Sequence, residues 1–372
     1  MSYKFSKIIV TIFLLYIGGI LLFSILLPDY EFSEKENRYL QPFPEFSSSG
    51  IQSGRTMKEM ENYISDHLIF RDQWVSLKAS CEKLMGKQEN DGIYFGLDGT
   101  LLKKTNVENT DKWMENAEYI NSLKRNVSIP VCFGLIPTAS EIWKEKLPKG
   151  ALTAEENQWI KKFYESLEVE TLDFSEELEK HKSEPIFYKT DHHWTSLGAY
   201  YGANVILEKA GMEKVDLEDY ESKVVAEDFY GTLYSESGAW WIEPDQIRIY
   251  VPDADKTVIS NFTGNEETGK LYNYEKLTGK NKYAFFLGGN QPLCIVKSEG
   301  NTNQRLLLIR DSYADALVPF LSERFEEIHL FDLRYNRLSI QKYVEENKID
   351  QIVVLYSFGN YIEDENQFLL AY

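Results

Sequence analysis

Leu306-Leu307-Leu308-Ile309-Arg310-Asp311-Ser312-Tyr313 is an apolar run that stops abruptly at a cation, a carboxylate and a hydroxyl. A short run of branched aliphatic residues bounded by polar ones reads as a strand buried on both faces. Similar runs recur at Val131 to Ile136, Glu168 to Phe174, Leu293 to Val296, Ile328 to Leu333 and Gln351 to Tyr356. Between them, Asp111 to Lys124 and Ala154 to Leu167 carry helical periodicity. This alternation predicts a mainly parallel sheet covered by helices on both faces, a three-layer α/β/α sandwich of the flavodoxin-like kind. In such a sheet, loops and helix starts converge at the carboxyl ends of the strands, and Ser312 stands at one of those ends. A helix beginning near Tyr313 would aim unpaired N–H groups at whatever the serine attacks.

A serine needs a base, and the chain has only five histidines. Two of them adjoin an acid in Thr190-Asp191-His192-His193-Trp194-Thr195. A carboxylate at one imidazole nitrogen fixes the tautomer and stabilises the imidazolium formed when the ring takes a proton. Asp191 with His193 can provide that pairing on an irregular segment, and His192 is the alternative imidazole. Ser312 has a plainer reading as the cap of the helix that follows it. Asp191, His192 and His193 also form a conceivable metal cluster, but they crowd one another and no second His or Cys group completes a shell, so no metal is expected.

The formal charge of −19 argues against nucleic acid as a partner, because phosphate binding requires clustered Lys and Arg. No nucleotide, flavin or other cofactor motif is visible. The three cysteines imply no disulfide framework, and Cys132 and Cys294 sit in apolar runs where a thiol acts as a small hydrophobe.

Ile8 to Leu27 contains no charged residue, and a helix of that length spans roughly 30 Å, the thickness of a bilayer core. Lys4 and Lys7 precede it, and Asp29, Glu31 and Glu34 follow. Positive flanks stay cytoplasmic, which places the remaining chain outside the membrane. No small-residue cleavage pattern follows, so residues 1–28 are expected to remain as an anchor, with a cleaved signal peptide as the alternative. After Pro28, residues 29–90 read as a linker through Pro42, Pro44 and Ser47-Ser48-Ser49-Gly50, then one amphipathic helix from about Thr56 to Met85 that packs on the main domain. Asn90-Asp91-Gly92 predicts a hairpin at the entry to that domain, residues 91–372, which carries an acidic, aromatic insertion near 212–278.

Thr190 to Thr195 with Ser196-Leu197-Gly198-Ala199-Tyr200, Phe229-Tyr230-Gly231-Thr232-Leu233-Tyr234 and Asp311-Ser312-Tyr313-Ala314-Asp315-Ala316 together resemble the DHHW family of bacterial cell-surface proteins. Glu36-Asn37-Arg38 and Phe70-Arg71-Asp72 resemble the amino-terminal segment of that family. The family is similar in turn to the SGNH-hydrolase-like alginate O-acetylation proteins, in which an Asp-x-His motif precedes the nucleophilic serine. The resemblance implies an SGNH-hydrolase-like fold with Asp191, His193 and Ser312 as the triad. It further implies O-acetyl transfer or ester hydrolysis on a cell-surface polysaccharide, and a multi-spanning membrane acyltransferase as the partner supplying acetyl groups. By the same resemblance Gly289 and Asn290 are oxyanion-hole candidates, with Asn360 as a competitor. Arg310 replaces the glycine of the usual Gly-Asp-Ser, so the turn before the serine must be built without it. Trp194, Trp240 and Trp241 are candidate stacking platforms for sugar rings, with core packing as their plainer role. Arg310 is a candidate to hold Asp311 or receive an anionic sugar. The contrasting class is a non-catalytic glycan-binding or assembly protein on the same fold.

Overall fold

The computed structural model describes residues 3–26, 31–33, 38–107, 110–253, 255–262, 265–299 and 302–372. Pro28, Asp29, Glu34, Glu36 and Asn37, which entered the reading of the anchor and linker, lie outside the described residues. The chain separates into two compact units, one of residues 1–87 with 235–241 and one of residues 88–234 with 242–372.

The larger unit is built on eight strands, β1 (Val131–Ile136), β2 (Glu170–Leu172), β3 (Thr257–Phe262), β4 (Asn265–Gly269), β5 (Leu293–Lys297), β6 (Arg305–Arg310), β7 (Glu327–Phe331) and β8 (Gln351–Ser357). Their order across the sheet is β4-β3-β5-β7-β6-β8-β1-β2. The neighbours from β7 to β2 pair in parallel, with Leu308 opposite Leu330 on one side and Val353 on the other. β5, β3 and β4 extend the β7 edge with antiparallel pairings. The Leu293 strand is therefore antiparallel, and two strands from the anticipated insertion lengthen the sheet.

Alternate residues of the central strands enter two separate cores, as the two-residue period of a strand requires. Leu306, Leu308, Val353 and Leu355 face a core shared with helices Phe174–Lys180 and Ser196–Lys209. Leu307, Ile309, Ile352 and Val354 face the opposite core, shared with helices Thr110–Asn126, Glu156–Tyr164 and Ile340–Asn347. The result is the three-layer α/β/α sandwich of the SGNH-like fold. The predicted hairpin forms from Glu89–Asn90 and Ile93–Phe95 around Asp91 and Gly92, and Leu101–Lys103 adds a third strand. Another part of the insertion makes an antiparallel ribbon of Lys223–Phe229 with Asp245–Ile249.

In the smaller unit, helix Tyr3–Leu26 contains the apolar span Phe5–Ser24, with mean hydropathy 2.2, long and apolar enough to cross a membrane or to serve as a signal sequence. Ser47 caps a short helix, Ser48–Gln52, where an extended linker was expected. The single helix expected from Thr56 to Met85 is two, Arg55–Asp66 and Arg71–Leu84. The break comes where Phe70 adopts a left-handed backbone, φ 60°, which an apolar repeat does not encode.

Candidate functional site

Ser312 follows β6 after a single residue, Asp311. Asp311 is extended, with φ −100° and ψ −174°, and no residue from Arg310 to Tyr313 has a positive φ, so this turn needs no glycine. Asp311 Oδ1 accepts the Tyr313 N–H at 3.0 Å and thereby caps the turn. Its Oδ2 accepts from the Ser357 N–H at 2.9 Å, the Ser357 hydroxyl at 2.8 Å and the Asn360 amide at 2.8 Å. The capping role is thus taken by Asp311, and the Ser312 hydroxyl points elsewhere. The element after it is a 3-10 turn, Ser312–Ala316, followed by a four-residue helix, Val318–Leu321. That is too short for the helix-dipole contribution expected at the serine. Among the described residues, the Ser312 backbone N–H has no hydrogen-bond partner.

The Asp191-His193 segment is shaped by local pairing. Tyr188 N–H donates to His193 O at 3.2 Å and Thr195 N–H to Ile186 O at 2.9 Å, leaving Lys189 to His192 as a tight loop. Asp245 fixes that loop by accepting from the N–H groups of Lys189 and Thr190 at 2.9 and 2.8 Å and from the Thr190 hydroxyl at 2.6 Å. The loop and the serine turn meet across more than a hundred residues. His193 Nε2 lies 2.8 Å from Ser312 Oγ, and His193 Nδ1 lies 2.6 Å from Asp191 Oδ1.

Four donors surround the Asp191 carboxylate: the His193 N–H at 3.0 Å, the His193 ring, the Thr232 N–H at 2.8 Å and the Thr232 hydroxyl at 3.2 Å. Burial opposes its charge. The neighbouring imidazoles of His192 and His193 and the hydrogen bonds from His193 and Thr232 overcome that, holding the carboxyl well below the usual range. Gly231 makes the close approach possible, since a Cβ there would lie 2.2 Å from Asp191 Cβ and 2.3 Å from Oδ2.

Two tyrosines join the halves. Tyr283 stacks on the His193 ring at 3.7 Å and 9°, and its hydroxyl donates to Ser312 O at 3.2 Å. The Tyr313 hydroxyl donates to His192 O, while the Trp194 indole donates to Tyr313 O at 2.8 Å. Trp194 is completely buried, and Gly202 leaves room for its ring, so the expectation of a sugar platform at Trp194 is corrected: it exposes no face.

Arg310 is likewise corrected. It is fully buried, with Nη2 3.0 Å from Asp315 and Nη1 3.7 Å from Asp332, so it neither holds Asp311 nor meets a ligand. Burial pushes the Asp315 carboxyl up to about 7 against the pull of Arg310.

The other candidates are placed as follows. Gly289, with φ 104°, and the exposed Asn290 follow the turn that carries Tyr283; neither hydrogen-bonds to Ser312, and Asn290 Oδ1 accepts a long 3.4 Å contact from Arg310. Asn360 spends an amide proton on Asp311. Trp240 is 59% exposed, its indole donating to Ser80 at 2.8 Å, and Lys83 lies 4.0 Å over the Trp241 ring. Both tryptophans belong to the smaller unit, not to the unit that contains Ser312. Cys294 is buried, which pushes its thiol up to about 12.

His192 makes no hydrogen bond to the serine. Its Nδ1 meets the Thr232 hydroxyl at 2.7 Å, and burial lowers its pKa to about 3 although 29% of the side chain remains exposed. The ligand atoms of Asp191, His192 and His193 lie within 4.8 Å of one another, close enough for an ion. Both His193 nitrogens, both Asp191 oxygens and His192 Nδ1 are already engaged in the contacts above, which fits proton transfer better than coordination.

Thr232, Gly231, Tyr283 and Asp245 carry no role in the sequence reading. Thr232 and Gly231 lie in the quoted Phe229 to Tyr234 motif, which could have directed attention to them, whereas Tyr283 stands in no comparable pattern.

Among curated proteins, none matches the chain. Among solved structures, a DHHW family protein from Eubacterium siraeum is similar at 25% identity and TM-score 0.66, covering 76% of this chain and 95% of that one. Bacillus cereus PatB1 is similar at 21% identity and TM-score 0.62, covering 75% and 99%, and its structure with a sulfonyl adduct at 20% and 0.59, covering 73% and 97%. These last two share the fold. The model of the DHHW protein family matches residues 121–331, more than half of the 372 residues, and the chain belongs to that family.

Proposed function

We propose that this chain is a membrane-anchored, extracytoplasmic O-acyltransferase or acetylesterase acting on a cell-surface polysaccharide. What carries the reading is the continuous path from Asp191 through His193 to the Ser312 hydroxyl, with contacts of 2.6 and 2.8 Å. Ser312 Oγ attacks the acyl carbonyl carbon while its proton passes to His193 Nε2, and Asp191 stabilises the imidazolium at Nδ1. The imidazolium then protonates the departing alkoxide, leaving an acyl-serine. A sugar hydroxyl or water gives its proton to His193 and attacks that ester, which regenerates the serine. The free Ser312 N–H is one donor for the oxyanion; Gly289 and Asn290 are the proposed source of further donors.

The apolar helix Tyr3–Leu26, with Lys4 and Lys7 in its first turns, supports an anchor with the larger unit outside. Acetyl donors of the cytoplasm do not reach a serine there, so a multi-spanning acyltransferase would deliver the acyl group.

The test uses the full chain in detergent with a chromogenic acetyl ester and a sulfonyl fluoride. Wild type is expected to turn over the ester and to acquire a covalent adduct, and Ser312→Ala to lose both. Retention of both by the variant moves the nucleophile elsewhere. Reaction by neither protein with any acetyl donor favours the non-catalytic glycan-binding role.

A further inference from the structure

A pocket of about 130 Å³ opens beside the candidate triad, with the His192 ring and Tyr313 in its wall. That is about ten times the roughly 10–15 Å³ of such space that a single water requires. The His192 and His193 ring centres are 3.9 Å apart and Tyr313 directly follows Ser312, so the pocket lies one side chain's breadth from the reacting atoms.

Its lining is two-sided. Leu233 and Ile362 give an apolar patch, while Lys103, Lys104, Thr105 and Asn106 form a polar wall. Neither lysine makes an ion pair among the described residues, which is notable in a chain of formal charge −19. Their backbone is held in place: Ser140 Oγ donates to Lys103 O at 2.5 Å, and Lys104 N–H donates to Gly92 O at 2.8 Å. The acids behind that wall are occupied elsewhere. Glu141 pairs with Lys144 at 2.9 Å and accepts the Glu156 and Asn157 N–H groups, and Glu156 accepts from the N–H and hydroxyl of Thr138. Glu363 is the one carboxylate on the lining, so two cations face one anion.

We propose that this pocket is the acceptor subsite and that it takes a glycan residue bearing a negative group, carboxylate or phosphate. Lys103 and Lys104 hold the charge, Leu233 and Ile362 take the carbon face of the unit, and the hydroxyl to be acylated extends past His192 toward Ser312. This rests on the acyl-transfer reading for its chemistry, but binding tests it separately.

The experiment titrates the full-length Ser312→Ala chain in non-ionic detergent, by calorimetry at low salt, with trigalacturonate, a glycerol-phosphate trimer and neutral maltotriose. At least one anionic probe is expected to bind about tenfold tighter than maltotriose, and the two anionic arms distinguish carboxylate from phosphate. Lys103→Gln with Lys104→Gln should erase that preference, and raising the salt should reduce it. Glu363→Gln should enlarge it about threefold, an opposite shift that an unfolded lysine variant cannot obscure. Equal binding of all three probes, no measurable binding of either anion, or a preference indifferent to these substitutions overturns the proposal. Because the nucleophile is already absent, failure of wild type to form an acyl-enzyme sinks the reaction while leaving the binding result standing, and the converse also holds.

Discussion

Gly231→Ala tests whether the candidate site depends on the close approach of Asp191. The glycine has no positive φ, so alanine suits its backbone and the whole effect is steric. The added Cβ would sit 2.2 to 2.6 Å from three atoms of the Asp191 side chain, against 3.4 Å or more for ordinary contact. The carboxylate must therefore retreat by about 1 Å. It cannot do so and keep both the 2.6 Å contact to His193 and the 2.8 Å contact to Thr232. Hydrogen bonds to charged groups contribute about 1.5–3 kcal/mol each, so weakening two in part should lower stability by about 2–4 kcal/mol. A displacement of that size at a catalytic group costs roughly a hundredfold in rate. The assay pairs kcat/KM for a chromogenic acetyl ester with thermal unfolding of the full chain in detergent. Unchanged Tm and unchanged turnover would refute the steric argument. A lowered Tm with undiminished turnover would leave Asp191 structural and remove it from the mechanism.

Asp191→Asn should retain the fold but lower kcat/KM by roughly 10³-fold or more, because an amide cannot stabilise the imidazolium and favours the wrong tautomer; activity within tenfold of wild type excludes Asp191 as the orienting acid. His192 has a folded pKa of about 3, below the ordinary 6.5, so unfolding takes up a proton there as pH falls below about 6.5 and stability is lost in that window. His192→Gln should recover at most about 2 kcal/mol of that loss at pH 5, less for its partial exposure, measured as the difference between denaturant curves at pH 7 and pH 5; identical pH dependence in the two proteins contradicts it. Fractionation with intact-mass measurement is expected to find the full chain in the membrane, whereas a soluble product beginning beyond Leu27 establishes cleavage.

The apolar runs made every central strand from Val131 to Ser357 legible except the two drawn from the acidic insertion. Strand direction was not legible: Leu293 to Val296 is as continuously apolar in sequence as the parallel strands, and only its pairing with β7 and β3 reveals that it runs backwards. Asp191, His193 and Ser312 stood out because they combine one scarce residue type, histidine, with a strand end and a recognisable motif. Trp194 and Arg310 misled for one reason, namely that sidedness is a property of packing. An indole next to a histidine, or a guanidinium two residues before a serine, can face inward, and both do. Thr232 and Tyr283 act through a hydroxyl and a ring face supplied from distant segments, contacts that no local spacing encodes.

The binding of Asp311 to the far end of the chain has a temporal consequence. Ser357 and Asn360 supply three of the four donors that hold its carboxylate, so the turn bearing Ser312 remains unsecured until β8 has entered the sheet. Synthesis is vectorial, and β8 is made after Ser312 and its histidine partner. A chain interrupted before Ser357 would carry Asp191, His193 and Ser312 in full and still lack the last contacts that set the nucleophile. Reactivity at Ser312 therefore reports arrival of the carboxyl-terminal strand, which ties arming of the serine to completion of the fold.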